Sequence, residues 1–212
     1  MKQGRFDFKN LFEQSLIVFP IAVLLFSVAL FVRFVQSTDI SWMIAAILVP
    51  YVLPLLCFRL VNLVAPLKSG VSFIAERGYS PWLGAYKFQL IYLHLPFLER
   101  ILRLVPGLFS FWLRLWGSQI GKWVYWTPEV TILDRTHLKI GNHVIFGHSV
   151  QMTSHAIKPK NNRVFLYLND ITIGDGCFIG AWSRLAPGVN IPAGTTVKVA
   201  TDLYPNEKAV SP

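Results

Sequence analysis

From residue 120 onward, large apolar residues recur every six positions: Ile120, Trp126 and Ile132, then Ile140, Phe146 and Met152, then Ile173, Ile179, Leu185, Ile191 and Val197. The residue after each is often small, as at Gly121, Gly141, Gly147, Gly174, Gly180 and Ala186. Four places after most of them stands a small or β-branched side chain: Val124, Val130, Val144, Val150, Cys177, Val189 or Thr195. A helix repeats every ~3.6 residues and a half-buried strand every ~2, so neither gives a period of six. A triangular coil does, each hexad supplying one short flat face and one inward apolar residue. Chance periodicity in a run of β-hairpins is the competing reading, but the last five hexads keep register without a slip. Eleven hexads make between three and four turns.

Two interruptions break the period. Between Ile132 and Ile140 the spacing is eight, a small bulge. Between Met152 and Ile173 the chain makes a long excursion, 157–170, containing Lys158, Lys160 and Arg163. A long loop on an otherwise regular scaffold reads as a binding loop.

The preceding half has a different character. Residues 16–35 form an apolar run whose only charge is Arg33, and 40–58 form a second with no charge, closed by Arg59. Each approaches the ~20 residues a helix needs to cross a bilayer core. Pro20, Pro50 and Pro54 would break soluble helices but are tolerated in spanning ones. A cleavable signal peptide is the alternative for the first run, yet that run is long for one and a second span follows at once. Lys2, Arg5 and Lys9 precede the pair and Arg59, Lys68 and Arg77 follow it, while the turn holds only Arg33 and Asp39. The positive-inside rule then places both ends in the cytoplasm. Composition agrees: 53% of residues are hydrophobic and 15% charged, and mean hydropathy is +0.47. That apolar content excludes a disordered chain. Of the net charge of +9, 11 basic and 5 acidic residues stand in 1–118, against 9 and 6 in 119–212. The excess sits with the apolar half, which favours anionic lipid over nucleic acid. Cys57 and Cys177 cannot make a disulfide framework, and neither redox chemistry nor a zinc site is indicated.

Residues 71–118 are intermediate. Ser80-Pro81 reads as an N-cap with proline at the first helical position. After Pro96, the residues Leu98, Ile101, Leu102 and Val105 form one helical face, with Glu99, Arg100 and Arg103 off it; Phe109 to Trp116 surround Arg114 with aromatics. Basic helices with an aromatic face suit the bilayer interface. A helical cap packed on the next domain is the alternative.

Three stretches resemble the hexapeptide-repeat acyltransferases, in particular those of the galactoside, maltose and colanic-acid type O-acetyltransferases. The first is Val130-Thr131-Ile132-Leu133-Asp134 with Leu138-Lys139-Ile140-Gly141-Asn142-His143-Val144. The second is Met152-Thr153-Ser154-His155, just ahead of the excursion. The third runs from Ile171-Thr172-Ile173-Gly174-Asp175-Gly176-Cys177 through Phe178-Ile179-Gly180-Ala181 to Leu185-Ala186-Pro187-Gly188-Val189-Asn190-Ile191. The resemblance covers about residues 120–205 and does not reach the apolar half. It implies a left-handed parallel β-helix, a homotrimer, and acetyl-CoA as co-substrate with no permanently bound cofactor.

Acyl transfer from a thioester to a hydroxyl needs a base, and imidazole, with an ordinary pKa of about 6.5, is suited to it. The resemblance gives that role to His155. His94 reads as structural; His137, His143 and His148 stand at or near coil corners, where any of them could be exposed. Successive hexads point to different faces, so the repeat-domain histidines should not converge on a metal. The resemblance also implies that coenzyme A lies along Ala181 and Val199, with Lys198 able to meet a phosphate. Phe178 and Trp182 read as donor contacts or as packing at the trimer seam. On the acceptor side Asp134 matches the family, but Glu129 stands where sugar-acetylating relatives have asparagine. Arg135 and His155 each stand three residues after a hexad apolar residue, so Arg135 should lie one coil before His155 on the same face. There it would suit an anionic acceptor, or be an exposed corner arginine.

The sequence therefore predicts an α+β chain: a transmembrane helical hairpin over 1–70, amphipathic interfacial helices over 71–118, and the left-handed β-helix over 119–212. The function expected is a membrane-anchored O-acetyltransferase in a bacterial inner membrane, its catalytic domain cytosolic and its acceptor a lipid-linked glycan or membrane lipid. The alternatives are a non-catalytic trimeric membrane scaffold, or a longer-chain acyltransferase that draws on an acyl carrier protein.

Overall fold

The computed structural model describes residues 15–74, 79–160 and 163–209. Lys2, Arg5, Lys9 and Arg77, on which the orientation argument partly rests, lie outside them. By compactness, residues up to 67 group with 74–91, and 68–73 group with 92 onward.

In the first unit, a single 3-10 turn leads into α1 (Phe19–Ser37), and α2 (Ile40–Val64) returns beside it. The reversal takes two residues. Thr38 adopts a left-handed φ of 56° and its N–H donates to the Phe34 carbonyl, while the Asp39 carboxylate accepts the Ser41 N–H at 2.9 Å. These contacts satisfy helix ends that would otherwise be orphaned. Val23, Ala46, Pro50 and Pro54 are buried, and the Ser27 hydroxyl donates to the Ala46 carbonyl at 2.5 Å. Most other side chains of the pair, such as Leu25, Val28, Ile47 and Leu48, are apolar and exposed. Both helices are long and apolar enough to cross a membrane. Helix α3 (Pro81–His94), most of which belongs to this unit, starts where the Ser80 hydroxyl accepts the Leu83 N–H at 3.4 Å; strand β1 (Gly70–Ile74), before it in the chain, belongs mainly to the second unit.

The second unit contains α4 (Phe97–Arg103), α5 (Leu108–Trp116) and the repeat region. Its strands run β2 (Gln119–Ile120), β3 (Thr131–Ile132), β4 (Leu138–Ile140), β5 (Ile145–Phe146), β6 (Gln151–Met152), β7 (His155–Lys160), β8 (Arg163–Leu168), β9 (Ile171–Ile173), β10 (Phe178–Ile179), β11 (Arg184–Leu185), β12 (Asn190–Ile191), β13 (Thr196–Val197) and β14 (Asp202–Leu203). Three parallel sheets result, ordered β12-β9-β4-β2, β13-β10-β5 and β14-β11-β6-β3. The chain visits each in turn, so the period of six is a three-sided coil.

Register makes the hexad residues into inward columns: Ile120, Ile140, Ile173 and Ile191 on one side, Ile132, Met152, Leu185 and Leu203 on another. The third holds Phe146, Ile179 and Val197, with Trp126 stacked on Phe146 at 4.6 Å. Leu203 extends the series one hexad beyond those read from the sequence. The residue four places on forms a second buried layer, with Val144, Val150, Cys177, Val189 and Thr195 all at 1% exposure or less. Glycine after the column residue is needed for contact between turns. A Cβ on Gly147 would stand 2.5 Å from the Ala181 nitrogen, and one on Gly180 equally close to the Lys198 carbonyl carbon.

Most corners turn on a left-handed residue three places after the column residue. Trp123, His143, Ser149, Trp182, Ala200 and Asn206 take φ between 55° and 62°, and Gly176, Gly188 and Gly194 are also positive. An L-residue there costs about 1–2 kcal/mol, which the ladder on either side must offset. Glu129, Arg135 and His155 occupy the corresponding place without positive φ.

Two expectations change. The excursion is an antiparallel hairpin, β7 on β8, with β1 on the outer edge of β8. Leu166 and Leu168 are 1% exposed, and Phe73 meets Phe165 at 4.8 Å. Its alternating apolar residues give it a packed face, so it is sheet and not loop. In α4, the expected apolar face is split: Leu98 and Leu102 are buried with Glu99, while Ile101 and Val105 are exposed. The inward carboxylate is held by Arg135 beneath the helix and by Arg103 one turn along it.

Ile179→Ala empties a column position and should cost about 2–5 kcal/mol. Thr196→Ala, outward on the neighbouring strand, should stay within about 0.5 kcal/mol. Urea unfolding followed by circular dichroism compares them; equal losses would contradict the column assignment.

Candidate active site

Both interruptions of the period fall after the same side of the coil, in successive turns. The eight-residue spacing follows β3, the long excursion follows β6, and β3 and β6 are neighbours in register. The two widened corners therefore stack. Asp134 comes from the first and His155 from the second, and the carboxylate Oδ2 lies 2.7 Å from the imidazole Nδ1. The same Oδ2 accepts the Ser154 N–H at 2.9 Å, and the Ser154 hydroxyl donates to the His137 carbonyl at 3.0 Å. These bonds fix the carboxylate and aim it at the ring. Asp134 is 3% exposed at its side chain and His155 13%, so the acid is sheltered and the ring reaches the surface.

A carboxylate at Nδ1 requires a proton on that nitrogen, which leaves Nε2 with a lone pair. The ring can thus accept a proton at its outer edge, while Asp134 stabilises the imidazolium that forms. His155 borders an open cleft of about 770 Å³, lined also by Gln151, Thr153, Arg184, Pro187, Asp202 and Tyr204. Arg184 Nε donates to Asp202 Oδ1 at 2.6 Å on its floor, and this partner holds the Asp202 carboxyl below its usual range.

Arg135 is displaced from its expected place. It does lie one turn before His155, but it is fully buried and its Nε donates to Glu99 Oε1 at 2.6 Å. Its guanidinium stands 5.1 Å from the Tyr92 ring centroid and 6.0 Å from that of Trp112. Enclosed among these rings, it is neither an exposed corner arginine nor directed at the cleft of His155. Arg103 reaches the other Glu99 oxygen at 3.4 Å, donates to the Val130 carbonyl at 2.9 Å and lies over Phe109; burial pushes its guanidinium down to about 10 despite Glu99. Two arginines on one buried carboxylate tie α4 to the coil. Glu129 stands nearer the surface, 2.8 Å from Arg100. Arg100, Glu129 and Thr131 line a second cleft one strand before His155.

The residues expected along the donor lie together. Ala181 and Val199 occupy equivalent places of successive turns, joined where the Ala200 N–H donates to the Ala181 carbonyl, with Lys198 and Val199 exposed beside them. In the turn that carries His155, the position level with Ala181 is His148, since Trp182 donates to the His148 carbonyl. From there the chain runs seven residues, along β6, to His155. Ala181 and Val199 on one hand and His155 on the other therefore flank opposite edges of one side. Trp182 meets His148 edge-to-face at 6.1 Å, and Phe178 and Trp182 are exposed.

His137 differs from the exposed corner expected: it is 6% exposed, with Nδ1 2.7 Å from the Thr136 hydroxyl. Among the described residues, no three His, Cys, Asp or Glu side chains are grouped to hold a metal. The partnership of Asp134 with His155 and the role of Glu99 were missed at the level of sequence. The signal for the first was present, because both breaks in period follow the same side.

No protein-family profile and no curated protein sequence matches the chain. Among solved structures, it is similar to a hexapeptide-repeat-containing acetyltransferase from Vibrio cholerae, at 19% identity and a TM-score of 0.41, over 57% of this chain and 85% of that one. It is also similar to the same protein complexed with acetyl coenzyme A, at 26% identity and TM-score 0.35, over 43% and 54%. A third is a maltose O-acetyltransferase from Clostridium difficile, at 18% identity and TM-score 0.24, over 56% and 80%.

Burial pushes the His137 imidazole below its usual value. The unfolded chain then binds the extra proton first as pH falls below about 6.5, so acidification destabilises the fold. Melting curves at about pH 7 and pH 5 should converge more for His137→Gln than for the unaltered protein. Parallel losses in both would remove His137 as the cause.

Proposed function

We propose that this chain is a membrane-anchored hexapeptide-repeat acyltransferase, transferring acetyl from acetyl-CoA to a hydroxyl of a lipid-linked glycan or membrane lipid. The observation that carries the reading is the Asp134–His155 pair at 2.7 Å on the two stacked interruptions of the coil. A scaffold would need neither an oriented imidazole nor a cleft beside it.

In this reading the coil is the left-handed β-helix that its motifs resemble. His155 Nε2 takes the proton of the acceptor hydroxyl as its oxygen attacks the thioester carbonyl carbon. The carbon–sulfur bond then breaks, and the leaving thiolate takes the proton back from the imidazolium. Asp134 holds the tautomer and lowers the energy of the charged ring. Ala181, Lys198 and Val199 form the donor strip, with Lys198 on a phosphate. Their separation from His155 within one chain supports a homotrimer in which a neighbour's strip faces each base. Exposed Phe178 and Trp182 suit that seam. Glu129, paired with Arg100 at the second cleft, is the acceptor contact, and Asp134 is a positioning residue for His155, not an acceptor contact.

The apolar hairpin anchors the enzyme, 71–118 connects it to the coil at the bilayer surface, and the catalytic domain faces the cytosol of a bacterial inner membrane. Arg59, toward the end of the second helix, and Lys68 after it support that orientation. Alkaline carbonate should leave the protein in the membrane and a C-terminal phosphatase fusion should be inactive; an active fusion would reverse the topology.

His155→Ala should lower turnover by about a hundred- to ten-thousand-fold while the trimer persists on cross-linking in mild detergent. Asp134→Asn should lower it less, since the imidazole remains. Near-normal turnover of folded, trimeric His155→Ala would remove His155 as the base, and absence of any acyl transfer by the unaltered protein would leave the scaffold as the better reading.

A further inference from the structure

Helix α4 is inverted with respect to water. Two of its three charged side chains, Glu99 and Arg103, point inward, at 6% and 4% side-chain exposure, while Arg100 is exposed and paired with Glu129. Phe97, Ile101 and Leu104, one helical face, are 51%, 49% and 79% exposed. Val105 in the following turn, and Phe111 and Leu115 on α5, are also exposed, while the opposite face of α5 buries Phe109, Trp112, Leu113 and Trp116. A helix pair of a soluble domain presents its charges outward and its apolar stripe inward. Here the inner face is satisfied by ion pairs and aromatics, and the outer face is left apolar. Exposed apolar surface on this scale marks an interaction site.

The charge around the face selects the partner. Between residues 92 and 126 the sole acidic residue is Glu99, which is buried, whereas Arg100, Arg114 and Lys122 are exposed. A shallow depression joins Val105 and Gly107 at the α4–α5 turn to Arg114, Lys122 and Trp123. Trp123 is 78% exposed there. An apolar stripe with a basic rim and an exposed tryptophan matches a bilayer interface carrying anionic headgroups. The face also follows, by a stretch of about thirty residues, two helices long enough to span that bilayer.

We infer that the outer face of α4 and α5 lies in the headgroup–acyl boundary of an anionic membrane, with Trp123 and Lys122 at its edge. The inference rests on the membrane-anchored reading above and adds to it a second contact, made by the catalytic domain itself. It would hold the cleft of Arg100 and Glu129 at the depth where a lipid-linked acceptor presents its headgroup.

The test uses the full chain with Cys57→Ala, since Cys177 is buried, reconstituted in phosphatidylcholine–phosphatidylglycerol vesicles. Nitroxide labels at Leu104→Cys and Phe111→Cys are compared with Leu25→Cys in α1 and Asn190→Cys on the outside of the coil. Relaxation by oxygen should exceed relaxation by a nickel chelate at Leu104 and Phe111, as at Leu25, and the order should reverse at Asn190. A water-like reading at Leu104 and Phe111 overturns the inference, and shielding from both reagents overturns it in favour of a second copy on this face. Leu25 reports on the spans alone, so a water-like reading there removes the anchored reading independently. On the unaltered protein, a diazirine-bearing phosphatidylglycerol should cross-link to peptides of 97–116; labelling confined to 16–64 would again overturn the inference.

Discussion

A coil with sides six residues long admits one column residue, one second-layer residue and one corner per side, and each turn rests on the backbone of the one before. Contact is so close that a single Cβ at Gly147 or Gly180 would collide with the neighbouring turn. Everything else in the repeat half depends on this spacing. It sets parallel register, forces left-handed φ on residues as large as Trp123 and Trp182, and leaves the outer surface of each side free of structural duty. Departures are possible only where the backbone can leave the ladder and rejoin it. The chain does so twice, after β3 and β6, one above the other.

That coincidence assembles the candidate site. A regular corner gives a left-handed residue whose side chain is turned outward, as at Trp123 and Trp182. The widened corners release Asp134 and His155 from this geometry and let a carboxylate from one turn meet an imidazole from the next. The surrounding bonds, from Ser154 to Asp134 and to the His137 carbonyl, join the two turns at the point where the regular ladder is weakest. The ion pair of Glu99 with Arg135 and the bond from Arg103 to the Val130 carbonyl do the same one step further down, bonding a helix to the irregular corner. Aromatic faces lie over both buried guanidiniums, Phe109 on Arg103 and Tyr92 on Arg135.

Periodic features were readable directly. The columns, the second layer and both apolar helices follow from one-dimensional patterns, because each is set by local spacing. What depends on three-dimensional partners was not. Arg135 looked like a corner side chain because nothing in the repeat reveals that α4 covers it, and Glu99 looked solvent-facing because Arg135, its partner on the coil, lies 36 residues away. The excursion looked like a loop because Lys158 and Arg163 obscure the alternation that buries Leu166 and Leu168. Asp134 was noted as a family match, yet its contact with His155 required adding the two spacings along the coil.

The left-handed corners bear on how such a chain can change length. One residue inserted on a regular side would turn every later column residue outward, since position along the coil is counted in sixes. Growth of the scaffold is therefore quantised in whole sides of six residues. The edge after β3 and β6 is the exception: two extra residues in one turn and a whole hairpin in the next are absorbed there without disturbing Ile173 to Leu203. Variation confined to that edge could reshape what the cleft accepts while the rest of the coil stays in step.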